Sequence, residues 1–213
     1  MGSALNLDWS FLVKSLGLNL DNNIPAIPSI PYAGVSIDTR TLEPGQAFFC
    51  IKGNKLDGHE FAKLAVEKGA ALIISERKLN LGVPELIVPN TTQAMADLAR
   101  IYRNQFDIPV LALTGSCGKT GTKEMVSAIC REMGETLSTQ GNLNNQWGVP
   151  LTLFKLKNTH RFAVIEMGTS GPGEIEFLAK IVQPTVSLIT NIRHQHVEGM
   201  GSLEGISKEK SNI

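Results

Sequence analysis

Short apolar runs alternate with segments of helical periodicity along the first half of the chain. Three apolar runs predict short strands, at residues 45–53, 70–75 and 85–89. Two segments with apolar residues spaced three and four apart predict helices, at residues 59–69 and 90–106. This alternation predicts a small mixed α/β domain over residues 1–107.

The pattern changes at Pro109, where longer and more continuous apolar strands begin. Three such strands are predicted, the first opening at Pro109 and the others at residues 161–168 and 185–191. Helices are predicted at residues 122–134 and 173–184. Continuous apolar strands that alternate with helices are typical of a parallel sheet covered on both faces. We therefore predict a second, parallel-sheet α/β domain over residues 108–213.

The last segment of the chain carries Leu203, Ile206 and Ile213 at helical spacing, and no stop signal follows them. We therefore expect a helix that runs to the last residue. A doubly wound sheet usually has more than three strands, so we also expect this second domain to be incomplete at its C-terminal end. The alternative is a small domain with a frayed terminal helix.

Composition narrows the functional classes. The 213 residues carry no net formal charge, which gives no reason to expect a nucleic acid or a membrane surface as partner. No apolar run is long enough to span a bilayer, and the N-terminus lacks the pattern of a secretory signal. Cys50, Cys117 and Cys130 form no disulfide pattern, which favours a reducing, cytoplasmic location.

A glycine-rich loop stands between the strand that opens at Pro109 and the helix after it, as phosphate loops do. Lys119 can reach terminal phosphates, and the Thr120 hydroxyl suits Mg²⁺. The glycine that commonly opens such loops is replaced by Leu113, so an ordinary small-molecule kinase is disfavoured. A plain glycine turn is the alternative. The candidate nucleotide-binding residues are Gly115, Ser116, Cys117, Gly118, Lys119, Thr120 and Gly121.

Three further residues are candidates for metal binding or catalysis. Glu166 ends the second strand of this domain, and ligands of parallel sheets bind beyond the carboxyl ends of the strands. A carboxylate at that edge can hold Mg²⁺ directly or through water, although a solvated acid is the alternative. His196 follows the third strand, and Lys210 lies further along; each alone would be interpreted as a surface residue.

Taken together, these residues resemble the Mur ligase family, the ATP-dependent amide-bond-forming enzymes of peptidoglycan assembly. Four stretches match the motifs of the family in order: "TGSCGKT", "VIEMG", "TNIRHQHVEGMGS" and "SKEKSNI". Three more resemble the member that joins D-Ala-D-Ala to a UDP-N-acetylmuramoyl-tripeptide: "SIDTRTLEPGQAFFCIKG", "LDGHEFAKLAVEKGA" and "STQGNLNNQWGVPLTL". The variant loop is normal in this family, except that Cys117 replaces the usual Asn, Ser or Thr.

The resemblance implies a role for each matching residue. Lys119 would be catalytic and bind phosphate, with Thr120 and Glu166 as Mg²⁺ ligands. His196 would be catalytic and bind a second Mg²⁺, together with Lys210, which is carbamylated in several members. We expect that carbamate in the complete enzyme and an unmodified, exposed or disordered Lys210 in this chain. The residues implied to contact the UDP-sugar substrate are Ser36, Asp38, Thr39, Arg40, Asn142, Asn144 and Asn145.

The resemblance also implies the reaction and its participants. A substrate carboxylate would attack ATP to give an acyl phosphate, which the amine of D-Ala-D-Ala would then attack, with ATP and Mg²⁺ as cofactors. We expect a monomer. Members of the family have a third, C-terminal domain, so we expect this chain to be an N-terminal fragment that is inactive alone. Two alternatives stay open: a non-catalytic module that binds UDP-muropeptide or nucleotide, and another Mur or folylpolyglutamate-type ligase.

Overall fold

The computed structural model describes residues 33–194 and 197–213. The chain divides into two compact units, the first ending at Ile101 and the second beginning at Tyr102. No helix within the described ranges is long and apolar enough to cross a membrane.

The first unit contains a four-stranded parallel sheet in the order β1-β2-β3-β4. Its strands are β1 Val35–Ser36, β2 Ala47–Phe49, β3 Leu72–Ser75 and β4 Glu85–Ile87. The predicted helix at 59–69 begins as a 3-10 turn, Gly58–Phe61, and continues as α1, Ala62–Glu67. Helix α2 spans Thr91–Arg103. All four residues of β3 are buried, which explains the continuous apolar run there.

The second unit contains another four-stranded parallel sheet, in the order β6-β7-β5-β8. Its strands are β5 Val110–Thr114, β6 Thr136–Ser138, β7 Phe162–Glu166 and β8 Val186–Ile189. Its helices are α3 Lys119–Met133, α4 Gly148–Leu153, α5 Glu174–Val182, α6 Val197–Met200 and α7 Leu203–Lys210. The predicted α/β class with parallel sheets is confirmed.

Three details of the second unit differ from the sequence prediction. The sheet has a fourth strand, β6, which consists of "TLS" and is too short and polar to show an apolar run. Helix α3 begins at Lys119, inside the glycine-rich stretch and earlier than predicted. Gly118, with its positive φ, is the N-cap that lets the helix start there. The prediction of a helix running to Ile213 is wrong, since α7 ends at Lys210 with Ser211 as its C-cap.

Candidate functional site

The glycine-rich loop joins the end of β5 to the start of α3, and two glycines give it its shape. Gly115 has φ +148°, and a Cβ there would overlap Thr190 Oγ1. Gly118 has φ +78° and is the N-cap of α3. Positive φ costs an L-residue energy, and the close approach at Gly115 leaves no room for a side chain. The backbone amides at the start of α3, together with the helix dipole, provide an anion site.

The segment that follows β8 holds the loop in place. The backbone amide of Ser116 donates to the carbonyl of Asn191 at 3.0 Å. The Ser116 hydroxyl donates to the Arg193 carbonyl at 3.0 Å and accepts from the Arg193 amide at 2.9 Å. The Asn191 side chain bonds both the amide and the carbonyl of Cys117, each at 3.0 Å. These hydrogen bonds hold the backbone of the loop, and the Cys117 side chain is exposed.

Lys119, Thr120 and Gly121 lie in the first turn of α3. The Lys119 ammonium donates to the carbonyl of Gly115 at 2.9 Å, so the side chain folds back over the loop. This places a positive charge beside the backbone of the same loop. The arrangement fits an anion of several charges, such as the terminal phosphates of a nucleotide.

Glu166 is the last residue of β7, and its carboxylate is buried, with 2% of the residue exposed. Thr120 Oγ1 donates to Glu166 Oε2 at 3.0 Å, and Asn144 Nδ2 donates to Oε1 at 2.8 Å. Both donors are uncharged. A carboxylate taken out of water is stabilised by a cation, and neither of these two hydrogen bonds supplies one. The structure therefore places Thr120 and Glu166, which were predicted separately, in direct contact beside the loop.

The oxygen donors at this position suit Mg²⁺. A carboxylate and a hydroxyl are the ligand types that Mg²⁺ prefers, and the ion usually keeps waters or takes phosphate oxygens as its other ligands. Across residues 33–194 and 197–213, no cluster of three or more His, Cys, Asp or Glu side chains could hold a metal by protein ligands alone. Glu166 and Thr120 thus fit an ion shared with a bound phosphate.

Lys210 is buried, with 4% of the residue exposed, so the expectation of an exposed or disordered side chain is wrong. The cause is its neighbour Glu209, whose carboxylate accepts from the amides of Gly173 at 2.6 Å and Ile175 at 2.7 Å. These bonds fasten the end of α7 to the start of α5. Burial lowers the pKa of Lys210, and the Lys119 ammonium lowers it further. The structure therefore brings Lys210 into the electrostatic range of the glycine-rich loop.

The other predicted site residues are placed as follows. Of the three asparagines, Asn144 reaches the Glu166 carboxylate, while Asn145 Oδ1 accepts from the amides of Trp147 and Gly148 and so begins α4. The carbonyl of Asn142 accepts from the Asn144 amide at 2.8 Å. His196 lies outside the described residues, so its role stays a prediction.

In the first unit, the residues predicted to contact the substrate form one compact turn after β1. The Ser36 hydroxyl donates to the Asp38 carbonyl at 2.9 Å, and the Thr39 carbonyl accepts from Lys68 Nζ at 2.7 Å. The Arg40 guanidinium binds the Asp38 carboxylate through Nε and Nη2, the latter at 2.6 Å. That hydrogen bond lowers the pKa of Asp38. The Arg40 side chain is 86% exposed, which leaves part of its guanidinium free for a ligand.

Sequence reasoning missed four residues that support the site. Asn191 and Thr190 hold the loop, and their signal was available, since both belong to the stretch that follows β8. Lys123 and Thr139 lie behind Glu166 and are linked to each other at 2.7 Å. Nothing in the sequence distinguishes these two residues from other polar residues nearby.

Replacing Gly115 by alanine is expected to destabilise the second unit by about 1–3 kcal/mol, because the new methyl group would overlap the Thr190 hydroxyl. The matched control is Gly121→Ala, where a Cβ meets nothing within 4 Å and the backbone is helical. Thermal unfolding of the two variants should show a clear drop for the first and none for the second. Equal melting of the Gly115 variant and the unmodified chain would contradict this account of the loop.

Comparison with known proteins identifies the family. A profile described as Mur ligase family, catalytic domain, matches residues 31–113, and one described as Mur ligase middle domain matches residues 113–213. The UDP-N-acetylmuramoyl-tripeptide--D-alanyl-D-alanine ligase of Escherichia coli is 44% identical over 179 residues, covering 84% of this chain and 40% of that protein. The ligase of the same name from Buchnera aphidicola subsp. Acyrthosiphon pisum is also 44% identical, covering 84% of this chain and 39% of that protein.

Solved structures agree. A crystal structure of MurF from Acinetobacter baumannii superimposes with a TM-score of 0.81 at 41% identity, over 84% of this chain and 40% of that one. MurF of Thermotoga maritima, solved in complex with ADP, gives a TM-score of 0.78 at 33% identity, over 84% of this chain and 42% of that one. The chain spans about two fifths of the length of the curated relatives it matches. With both domain profiles matched in consecutive order and the phosphate loop, Thr120 and Glu166 arranged around one edge of the sheet, the chain belongs to the Mur ligase family.

Proposed function

We propose that this chain carries the nucleotide site of an ATP-dependent ligase that joins D-Ala-D-Ala to a UDP-N-acetylmuramoyl-tripeptide in peptidoglycan precursor synthesis. The observation that carries the proposal is the contact between Thr120 and the buried Glu166 carboxylate, 3.0 Å apart, next to the loop. The proposed substrates are those that the names of the Escherichia coli and Buchnera ligases state. Because this chain spans about two fifths of those relatives, the activity is proposed for the complete protein.

ATP would bind with its phosphates on the loop. The amides of residues 115–121 would hold the phosphate oxygens, and Lys119 would leave the Gly115 carbonyl for the γ-phosphate. Mg²⁺, when bound to Glu166 and Thr120, would neutralise phosphate charge. His196 and Lys210 are proposed to hold a second Mg²⁺, with Lys210 carbamylated. The lowered pKa of Lys210 favours the neutral amine that forms a carbamate.

The reaction would proceed in two steps. A carboxylate oxygen of the tripeptide attacks the γ-phosphorus, the bond to the β-phosphate oxygen breaks, and an acyl phosphate and ADP result. The amine of D-Ala-D-Ala then attacks the acyl carbon, loses a proton, and expels phosphate as the amide forms. Two anions meet in the first step, so the main task of the protein is to position them and to offset charge. Lys119 would do this in both steps, because its ammonium would lie beside the reacting phosphate.

The first unit is proposed to bind the UDP end of the muropeptide through Ser36, Asp38, Thr39 and Arg40. The turn formed by these residues is held by internal hydrogen bonds, so it is preorganised for a ligand. The asparagine loop that contains Asn142, Asn144 and Asn145 is proposed to face the same substrate. We propose that the part of the chain that binds the UDP-muropeptide ends near residue 107 and that the ATP-binding part follows it.

Replacing Arg40 by alanine is expected to weaken binding of UDP-N-acetylmuramoyl-tripeptide on the order of tenfold, as the loss of a charge-assisted hydrogen bond would do. Arg77→Ala is the matched control, because Arg77 is 58% exposed in the same unit and contacts Asp57 at 3.4 Å. Calorimetric titration measures both affinities. Equal affinities for the Arg40 variant and the control would remove Arg40 from the substrate site.

We also propose a cytoplasmic, monomeric enzyme without a nucleic-acid or membrane partner. Nucleotide-linked precursors and ATP are cytoplasmic substrates. The balanced charge of the chain gives no long-range attraction to polyanions.

The proposed function is tested by phosphate release from the complete protein with Mg-ATP, the tripeptide and D-Ala-D-Ala, each omitted in turn. Release that needs all three substrates supports the ligase. Tight binding of tripeptide or nucleotide without any phosphate release would indicate a binding module instead. Release with a folate substrate or an earlier muropeptide in place of the tripeptide would indicate another ligase of the superfamily.

A further inference from the structure

A buried lysine lies behind the candidate metal site. Lys123 is on the second turn of α3, and its side chain is 1% exposed. Lysine is almost never fully buried unless its ammonium is paired. Here Nζ donates to the carbonyl of Thr139 at 2.7 Å and contacts the Glu124 carboxylate at 2.8 Å. The ammonium is thus satisfied inside the unit, and its hydrogen bond fixes one backbone carbonyl.

Thr139 connects three elements at one point. It directly follows β6, and its amide continues the ladder to β7 by donating to the Val164 carbonyl at 3.1 Å. Its hydroxyl accepts a hydrogen bond from the backbone amide of Glu166, the last residue of β7, at 2.9 Å. Its carbonyl is the group that Lys123 holds. Because the residue is 1% exposed, water is not available to replace any of these bonds.

The same residue also marks where the chain leaves the sheet. After Thr139 the backbone turns into the loop that contains Asn144, whose side chain donates to Glu166 Oε1. Two residues of α3, Thr120 and Lys123, are linked to Glu166 by hydrogen bonds, the first directly and the second through Thr139. Thr120 contacts its carboxylate, and Lys123 holds its backbone through Thr139.

We propose that Lys123 is a positioning residue for Glu166, holding Thr139 so that the carboxylate is presented to Mg²⁺ bound with a nucleotide. The inference rests on the nucleotide function proposed above and adds a residue to it. Groups that orient metal ligands commonly change metal affinity about 10–100-fold when they are removed. A lysine that merely packs α3 onto the sheet would affect the stability of the unit and leave the metal dependence unchanged.

The test uses the 213-residue chain, with ADP as probe, titrated by calorimetry in the presence and absence of Mg²⁺. Lys123→Met keeps most of the stem and removes the ammonium. Lys155→Met is the matched control: Lys155 is an exposed lysine of the same unit, whose Nζ contacts Gln140 at 3.2 Å. Circular dichroism establishes that each variant is folded.

In the unmodified chain and in the Lys155 variant, Mg²⁺ should raise the affinity for ADP by the same factor. In Lys123→Met, we expect that factor to fall about tenfold, while affinity without Mg²⁺ changes little. A folded Lys123 variant with an undiminished Mg²⁺ effect would overturn the inference. If the unmodified chain binds no ADP at all, the proposed nucleotide function fails, and this inference fails with it.

A second pair of variants covers the case in which Lys123→Met does not fold. Thr139→Val keeps the shape of the side chain but removes the hydroxyl that accepts from the Glu166 amide, and Thr139→Ser retains it. The valine variant should lose the Mg²⁺ effect, and the serine variant should keep it. Equal Mg²⁺ effects in the two variants would overturn the inference.

Discussion

Replacing Lys119 by alanine is expected to lower turnover of the complete enzyme by on the order of 10²–10³-fold or more, with the fold intact. The ammonium lies beside the loop amides, 2.9 Å from the Gly115 carbonyl, where a γ-phosphate would take over the contact. Its charge would stabilise negative charge that grows as the phosphoryl group transfers, so the loss should appear mainly in kcat. The loop itself owes its shape to Gly115, Gly118 and the bonds from the segment after β8.

Two measurements separate this role from a structural one. Circular dichroism and thermal unfolding should be unchanged, and phosphate release should be lost. Lys180→Ala is the control, because Lys180 is 71% exposed on α5 and pairs with Glu176. Turnover of the Lys119 variant within about tenfold of the control would contradict the assignment, since a phosphate-binding charge contributes more than that.

Replacing Lys210 by alanine is expected to lower turnover of the complete enzyme at least about tenfold, and a short carboxylate should restore part of it. Burial and the nearby Lys119 ammonium lower the pKa of Lys210, which enlarges the fraction of neutral amine at a given pH. A neutral amine adds CO₂, loses a proton and becomes a carbamate anion, which can bind Mg²⁺. The cation, by contrast, would be repelled by that ion.

The assay for Lys210 is run with and without acetate or formate, and the unmodified enzyme is assayed with and without bicarbonate. Lys208→Ala is the matched control, an exposed lysine on the same helix. The Lys208 variant should keep full activity and show no response to carboxylates. Full activity of the Lys210 variant would end the carbamate proposal, while a loss that no carboxylate restores would favour a role for the ammonium.

The strand, glycine-rich loop and helix at residues 110–133 and the parallel sheets could be predicted because each has a strong local signal. The continuous apolar run of β5 leads directly into glycines at the two positions where the backbone needs them. Glu166 was predictable for a similar reason, since β7 is an apolar run that ends in a carboxylate and a glycine. In these cases the local sequence and the fold point to the same structure.

Other parts of the site were decided by contacts between distant residues. Helix α3 buries the polar residues Lys123 and Ser127. Its large apolar residues are exposed instead, namely Met125, Ile129 and Met133. The apolar positions of this helix therefore do not mark its buried face. Lys210 was expected to be exposed or disordered because it lies near the end of a helix that was expected to fray. Its burial follows from the bonds between Glu209 and the start of α5, which lies more than thirty residues away in the sequence.

The central claim, a ligase that works through an acyl phosphate, is tested most directly by following oxygen. The tripeptide is prepared with ¹⁸O in the carboxylate that becomes the amide, and the complete protein converts it with unlabelled Mg-ATP and D-Ala-D-Ala. Attack of that carboxylate on the γ-phosphorus makes its oxygen the bridge of the acyl phosphate, and amide formation leaves the bridge on the phosphate. The account predicts ADP and inorganic phosphate that carries ¹⁸O. Unlabelled phosphate, or label recovered in AMP with release of pyrophosphate, would contradict it.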